Sequence, residues 1–346
     1  MVDKNYCMSS FLAFRYIEDE SKDFFPGMHH HIKELPLIED RIPVFNEDDI
    51  DCQLSEIFAT QKTNKLGILL SGGMDSAVLA TYMPKGSRAY TFRFQEGKYE
   101  HEELLRAERF AKECELDLHY VDICWEDVEK SLSGLMWNKC APVHSIEPQV
   151  YLAAVQAKRD GIEKMVIGDA ADYVFYGMDG LLSRDWLFED YIKRSVYIMP
   201  DDVLVNPADI RYLYERYREG EKIDYIGFYD KCITEESYDS YANAFKTADL
   251  PYIDPYENFI LGEKLDLKKT RNGESKYFIR ALFKKRYPGI DVPEKHPMPR
   301  PVDYYFNDWR GPVRPEFKKS FAIESFTGNQ KWLLYCLERF LDEFER

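Results

Sequence analysis

The stretch "KLGILLSGGMDSAVLATYM", residues 65–83, constrains the fold more than any other part of the chain. Its apolar run reads as a buried strand, Ser71, Gly72 and Gly73 as a sharp turn, and the segment from Asp75 as an amphipathic helix. A helix that opens directly after a strand leaves its first backbone N–H groups unpaired at one point, where the positive end of the helix dipole adds to them. Such a point receives anions, and glycines there let the backbone approach phosphate oxygens that a side chain would hold away. Ser71 and Ser76 add hydroxyl donors. A plainer reading, a strand-to-helix turn with Asp75 or Ser76 as N-cap, is favoured for the bare glycine pair, and the composite pattern is more specific.

The alternation continues. "RAYTFRF" (88–94), a charged run (100–115), "LDLHYVD" (116–122), two helical stretches (125–136 and 149–159) and "KMVIGD" (164–169) read as strands and helices in turn. Short strands separated by helices require a parallel sheet covered on both faces, so the predicted class is α/β, a doubly wound and mainly parallel sheet. Beyond about residue 182 the chain turns helical, Tyr-rich and acidic, broken by "YIMPDD", "LVNPADI" and "LPYIDPYEN". The expected organisation is an N-terminal extension over residues 1–60 and one domain over 61–346. Its α/β core covers about 61–182, and a helical part, about 183–346, packs on it. Within the extension "FLAFRYI" reads as an added strand and "RIPVFNEDDIDCQLSEIFAT" as a turn and a helix.

Composition narrows the function. The 62 acidic residues outnumber the 46 basic ones for a formal charge of -16, which argues against a nucleic-acid partner, because phosphate contacts need clustered Lys and Arg. Any anionic ligand must be met by local positive groups. The absence of an apolar run long enough for a bilayer, and of a basic, apolar leader, predicts no membrane partner and a cytoplasmic location. The seven cysteines are scattered, without a C-x-x-C pair, and read as reduced thiols.

The glycine loop is neither the G-x-x-x-x-G-K-S/T loop nor the spaced-glycine dinucleotide fingerprint. It resembles the S-G-G-x-D-S loop of the PP-loop ATP pyrophosphatase superfamily, enzymes of HUP-type, adenine nucleotide α-hydrolase-like fold that cleave ATP between the α and β phosphates and transfer AMP. A second stretch, "KMVIGDAADYVFYGMDGLL" (164–182), is similar to the G-E-G-A-D-E-x-F-x-G motif of asparagine synthetases and their β-lactam synthetase relatives, with Gly168, Ala171, Asp172, Phe175 and Gly177 matching. A third, "KYFIRALFKKRYPGIDVPEKHPMPRPVDYYF" (276–306), is similar to that family's K-x-x-L-R helix followed by a proline and a returning lysine. The likeness to the asparagine synthetase C-terminal domain covers roughly residues 65–309. The N-terminal glutaminase domain of glutamine-using members has no counterpart in the 64 residues before Lys65, and Cys7 is too far from the terminus to act as its nucleophile.

The resemblance implies roles residue by residue. Ser71, Gly72, Gly73, Asp75, Ser76 and Lys276 hold the phosphates, while Leu70, Phe94 and Gly168 line the AMP site. Asp75 and Asp172 share Mg2+, which prefers carboxylate and phosphate oxygens. Lys295 stabilises charge on the pyrophosphate and the reacting carbonyl. Asp169 stands where the family has the glutamate that accepts a proton from the attacking nitrogen, and Tyr173 replaces a second glutamate. The shorter arm of Asp169 moves that carboxylate by about one methylene, enough to matter to proton transfer and to put aspartate in question as substrate.

Other residues read less sharply. His144, with Ser145 and Glu147, lines an acceptor pocket or merely packs a loop, and Arg300 is a candidate partner for a substrate carboxylate. His29 to His31 read as a solvated loop and Lys284 to Arg286 as cations at a helix end.

The expected activity is an ATP-dependent amide-forming ligase with ATP and Mg2+ as cofactors. A small-molecule carboxylate is adenylated, and ammonia or an amine, with a separate glutaminase as one source, displaces AMP. The alternatives are a PP-loop sulfur transferase and a non-catalytic nucleotide-binding homologue.

Overall fold

The computed structural model describes residues 1–31, 33, 35–62, 65–97, 101–295 and 298–345. Five parallel strands form its central sheet: β1 (Leu66–Leu69), β2 (Arg88–Phe94), β3 (Asp117–Ile123), β4 (Lys164–Val166) and β5 (Tyr252–Ile253), in the order β3-β2-β1-β4-β5. The predicted parallel α/β class is therefore the observed one. The sheet grows outward from β1 in both directions, which makes the gap between the ends of β1 and β4 the switch point where open parallel sheets receive ligands.

The helices used below are α1 (Lys4–Phe14), α2 (Glu47–Ala59), α3 (Met74–Ala80), α4 (His101–Glu113), α5 (Trp125–Lys139), α6 (Glu147–Arg159), α7 (Thr234–Ala248), α8 (Tyr277–Arg286) and α9 (Gly328–Phe344). Strand β1 is buried at every position, because successive side chains enter opposite cores. Leu66, Ile68 and Leu70 face one core with residues of α2, α3, α4 and α8, and Leu69 faces another with α1, α5, α6 and α9. Full burial of a side chain such as Ile68 contributes roughly 1.5–3 kcal/mol, so the loop at the end of β1 hangs from a rigid support. A third, aromatic cluster built on Tyr191, Tyr214 and Phe228 packs the Tyr-rich segment. Among the described residues no helix is long and apolar enough to cross a membrane.

The strands and helices expected from residue 65 to 169 are present, with small differences at their ends. Residue 100, the expected start of one helix, lies outside the described residues. Two expectations change. The segment read as an added strand, "FLAFRYI", instead forms the end of α1 and the turn after it. Asp3 caps that helix at Tyr6 N, and Cys7 through Phe14 are all buried, Ser9 and Ser10 among them, so its short apolar run mimics a strand. The expected turn before α2 contains a short strand, Ile42–Val44, that pairs in parallel with Phe259–Leu261, a partner too distant for local pattern to reveal.

Candidate functional site

The site starts where β1 ends. Leu70 N still donates to Tyr90 O (2.8 Å), and the chain then turns at Gly72, whose φ of +78° lies in the left-handed region. A Cβ there would stand 2.3 Å from the Glu103 carbonyl oxygen, so α4 closes on this glycine from behind. Gly72 consequently faces away from the cavity, and Gly73, in extended conformation as the N-cap of α3, lines it. Neither Asp75 nor Ser76 caps the helix by its side chain. Ser71 Oγ and Ser76 Oγ lie 3.1 Å apart, and Gly73 N donates to Ser71 Oγ (3.3 Å), which fixes both hydroxyls at the mouth of the loop.

Across the switch point, β4 runs into Gly168, Asp169 and the short helix Ala171–Val174, which carries Asp172. Two lysines from the helical part join the two strand ends. Lys276 Nζ donates to Asp75 Oδ2 (2.6 Å) and Asp172 Oδ1 (2.7 Å), and Lys295 Nζ donates to Asp172 Oδ1 and Gly177 O (both 2.7 Å). Lys276 is buried and holds a φ of +51° immediately before α8, a strained backbone that aims its side chain back at the carboxylates. Gly177 has a separate reason to be glycine: a Cβ would stand 2.0 Å from Asp172 Oδ1.

The electrostatics follow from burial and pairing. Burial raises the Asp75 carboxyl above its ordinary range despite the pull of Lys276. Burial acts on Asp172 in the same direction, but the ammonium groups of Lys276 and Lys295 outweigh it and hold that carboxyl low. Asp75 Oδ1 is buried without a hydrogen-bond partner. An orphaned carboxylate oxygen beside a second carboxylate fits a hard divalent cation. Among the described residues there is no group of three or more His, Cys, Asp or Glu side chains that could hold a metal.

Asp169 is different. Its carboxylate accepts from Ser237 Oγ (2.6 Å) on α7, and burial pushes its pKa up to about 7, with Asp172 and Glu236 adding repulsion against the Ser237 hydrogen bond. Asp254, at the end of β5, accepts from Ala170 N (2.7 Å), and Tyr256 Oη donates to Asp75 O (3.0 Å), so the short fifth strand locks both active loops.

Two cavities meet here. One, of about 190 Å³, is lined by Leu70, Ser71, Gly73, Asp75, Ser76 and Gly168, with Thr91 and Phe92 of β2. The other, of about 770 Å³, shares Asp169, Asp172, Tyr241, Lys295 and Met298 with it and extends toward Arg300 and His144. Phe94, expected at the AMP site, lines neither cavity and lies in the core beside Val121 and Ile123. His144 faces the larger cavity but is held by a network: Arg15 Nη1 lies 2.7 Å from Nε2, and Glu236 Oε1 lies 2.9 Å from Nδ1. Because a guanidinium only donates, Nε2 accepts and Nδ1 carries the proton. Burial, then the Arg15 charge, pushes the imidazole pKa down to about 3, so His144 is neutral. Arg15 also donates to Glu236 Oε2 (2.8 Å).

Sequence reasoning passed over Ser237, Arg15, Glu236 and Phe92. A serine inside a helix carries no signature, and Arg15 arrives from the far N-terminus. Two side candidates resolve simply. His29 pairs with Asp23 (3.0 Å), and Lys285 donates to Asp48 and Asp51 (2.6 and 2.8 Å).

A parallel sheet with a glycine loop at its switch point, carboxylates from both flanking strands and lysines closing over them, defines a protein built to handle an anionic ligand. The asparagine synthase family model matches residues 57–244, more than half of the chain, and the chain belongs to that family. The match ends before Lys276 and Lys295, whose place in the site rests on the geometry above. No curated protein matches the chain. Among solved structures it is similar to NMN synthetase from Francisella tularensis (15% identity, TM-score 0.28, 38% of this chain and 57% of that one). It is also similar to the NH3-dependent NAD synthetase from Campylobacter jejuni (12%, 0.30, 57% and 96%). A third is the U34-tRNA thiolase NcsA from Methanococcus maripaludis (14%, 0.27, 71% and 80%). At these TM-scores the likeness is partial, and the sheet order itself defines the fold.

Proposed function

We propose that this chain is an ATP-dependent carbon–nitrogen ligase that adenylates a carboxylate and passes the acyl group to ammonia or an amine. The observation that carries this reading is the junction of the two cavities, which Asp169, Asp172 and Lys295 all line.

ATP occupies the smaller cavity, its phosphates on the Ser71 to Ser76 loop and its adenosine against Leu70, Phe92 and Gly168. The acid enters from the larger cavity. Its carboxylate oxygen attacks the α-phosphorus, the bond from that phosphorus to the bridging oxygen breaks, and pyrophosphate leaves. Asp75 and Asp172 are the residues that would hold Mg2+, which supplies charge neutralisation to the phosphates. The Lys295 ammonium, aimed at the same point, offsets charge on the departing pyrophosphate; such a fixed cation is worth about 100- to 1000-fold in rate. In the second step the nitrogen attacks the acyl carbon, its proton passes to Asp169, and the carbon–oxygen bond to AMP breaks. A base with a pKa near 7 matches neutral conditions, and Ser237 orients it. The nitrogen comes from free ammonia, a separate glutaminase or an amine on the substrate.

Among the described residues no cysteine lines either cavity, which speaks against the sulfur-transfer alternative. The test is pyrophosphate release across a panel of carboxylates with ammonium or simple amines. ATP binding without turnover on any member would leave a nucleotide-binding homologue and defeat the ligase reading.

A further inference from the structure

The peptide plane between Gly72 and Gly73 is the point on which the glycine loop turns, and it is held from outside the cavity. Gly73 N donates to Ser71 Oγ (3.3 Å), and both residues line the smaller cavity. In a trans peptide the carbonyl points the opposite way, and Gly72 O accepts from Arg106 Nε (3.2 Å) on α4. Arg106 itself lines neither cavity. Its guanidinium also meets Glu102 Oε2 at 3.8 Å, a side chain that is 79% exposed. The cations that do line the smaller cavity are Lys276, Arg280 and Lys295, so Arg106 stands apart from them, behind the loop.

Two glycines in a row leave that plane without a steric lock of its own. Turning it over rotates ψ of Gly72 and φ of Gly73 by half a turn, which carries Gly73 from its φ of -82° into the left-handed region that glycine enters at little cost. The turned plane would present a carbonyl oxygen to the phosphates in place of an N–H. Helix α4 lies hard against the loop, since a Cβ on Gly72 would stand 2.3 Å from Glu103 O and 3.2 Å from Ala107 N. Those two atoms are four residues apart and belong to one rung of the helix ladder. With Ala107 N committed there, α4 reaches Gly72 O through a side chain, and Arg106 is that side chain.

We infer that Arg106 is a positioning residue: it fixes the Gly72–Gly73 peptide with its N–H toward the cavity, and so sets the loop for the pyrophosphate part of ATP without touching it. This rests on the reading above that the loop receives those phosphates. A cation on the carbonyl side also polarises the peptide and strengthens the donor on its other side. A guanidinium suits this post because it is always charged and its planar fork is pre-organised, so less side-chain freedom is lost per hydrogen bond than with a lysine.

Calorimetry on the full chain with α,β-methylene-ATP, inorganic pyrophosphate and AMP, with thermal melts in parallel, tests this. Arg106→Met should weaken α,β-methylene-ATP and pyrophosphate tenfold or more and leave AMP within twofold, because AMP lacks the phosphates that the loop receives. Arg106→Lys should restore part of the loss. The loss should persist in about 0.5 M salt, where a charge acting only over distance is screened. A merely structural role would weaken AMP by the same factor and lower the melting temperature with it. Binding of α,β-methylene-ATP by Arg106→Met as tight as by the wild type, a loss shared equally by AMP, or a loss abolished by salt would overturn the inference and leave the nucleotide reading standing. Wild-type protein that binds none of the three would remove the nucleotide reading, and this inference with it.

Discussion

The Lys295 ammonium meets the Asp172 carboxylate at 2.7 Å across 123 residues of chain, from a side chain that stays 40% exposed. Lys276 meets the same oxygen at 2.7 Å but is only 5% exposed. The two cations thus have different work. Lys276 neutralises two buried carboxylates and holds the strand ends together, whereas Lys295 comes from a segment lying over the cavity. Lys295→Ala should lower pyrophosphate release by about 100- to 1000-fold and leave nucleotide affinity within a few-fold. Lys276→Ala should destabilise the fold by about 3–5 kcal/mol, since it strands buried carboxylates. Urea unfolding of both variants beside a pyrophosphate assay separates these roles; a Lys295→Ala protein that keeps full activity would remove the assignment.

Asp169 predicts a pH profile. With a pKa of about 7 the carboxylate is protonated below that value, so the amide-forming step should rise about tenfold per pH unit up to about 7 and level off above it. Ser237 donates to the ionised form, and its removal disfavours that form. Ser237→Ala should therefore move the inflection to higher pH, and an unchanged inflection would show that another group is titrating.

The same shift has a stability consequence of definite sign. In the unfolded chain the carboxyl ionises near 3.9, and in the fold near 7, so the folded state binds more protons between those values. The stabilisation this gives is complete below about pH 4 and is lost as pH rises through about 7. Asp169→Asn carries no such term. Relative to the wild type, it should gain stability, on the order of 1–4 kcal/mol, when thermal melts at pH 4.5 and pH 8 are compared. It should also lose the amide-forming step.

The three stretches that build the site were legible because each carries its chemistry locally. Ser71 to Ser76 sit on an unmistakable strand-to-helix boundary, Gly168 to Gly177 hold a dense cluster of small and acidic residues, and Lys276 and Lys295 flank a basic helix. What escaped was assembled from afar. Strand β5 has two residues set between Pro251 and Pro255, too short for any period to register, yet its end pins both active loops through Asp254 and Tyr256. Phe94 failed as a cavity residue because the cavity meets β2 earlier, at Thr91 and Phe92. A strand's alternation tells which side chains share a face and says nothing of where along the strand a ligand lies.

Gly177 offers a test of packing inside the site. Its Cβ position is 2.0 Å from Asp172 Oδ1 and 3.0 Å from Lys276 Cδ, so Gly177→Ala forces the carboxylate off its two lysines. The overpacking should cost about 1–3 kcal/mol, and because the displaced group is the carboxylate that both lysines hold at the junction of the cavities, the ligase reading expects pyrophosphate release to fall at least tenfold. Wild-type turnover in this variant would mean that Asp172 does not need its present position.

Arg15 ties the N-terminal helix to the larger cavity. The residue ends α1 in the left-handed region, at φ 68°, and its guanidinium sits between Glu236 and His144 with both members of the ion pair largely buried. Removing one partner of such a pair leaves the other uncompensated, so Arg15→Met should cost about 3–5 kcal/mol in urea unfolding. The double variant Arg15→Met with Glu236→Leu removes both charges and should recover a large part of that loss, a coupling that a double-mutant cycle measures directly. If the two substitutions simply add, the network does not hold this wall of the cavity, and the N-terminal residues owe their place to the apolar packing of α1 against α9 instead.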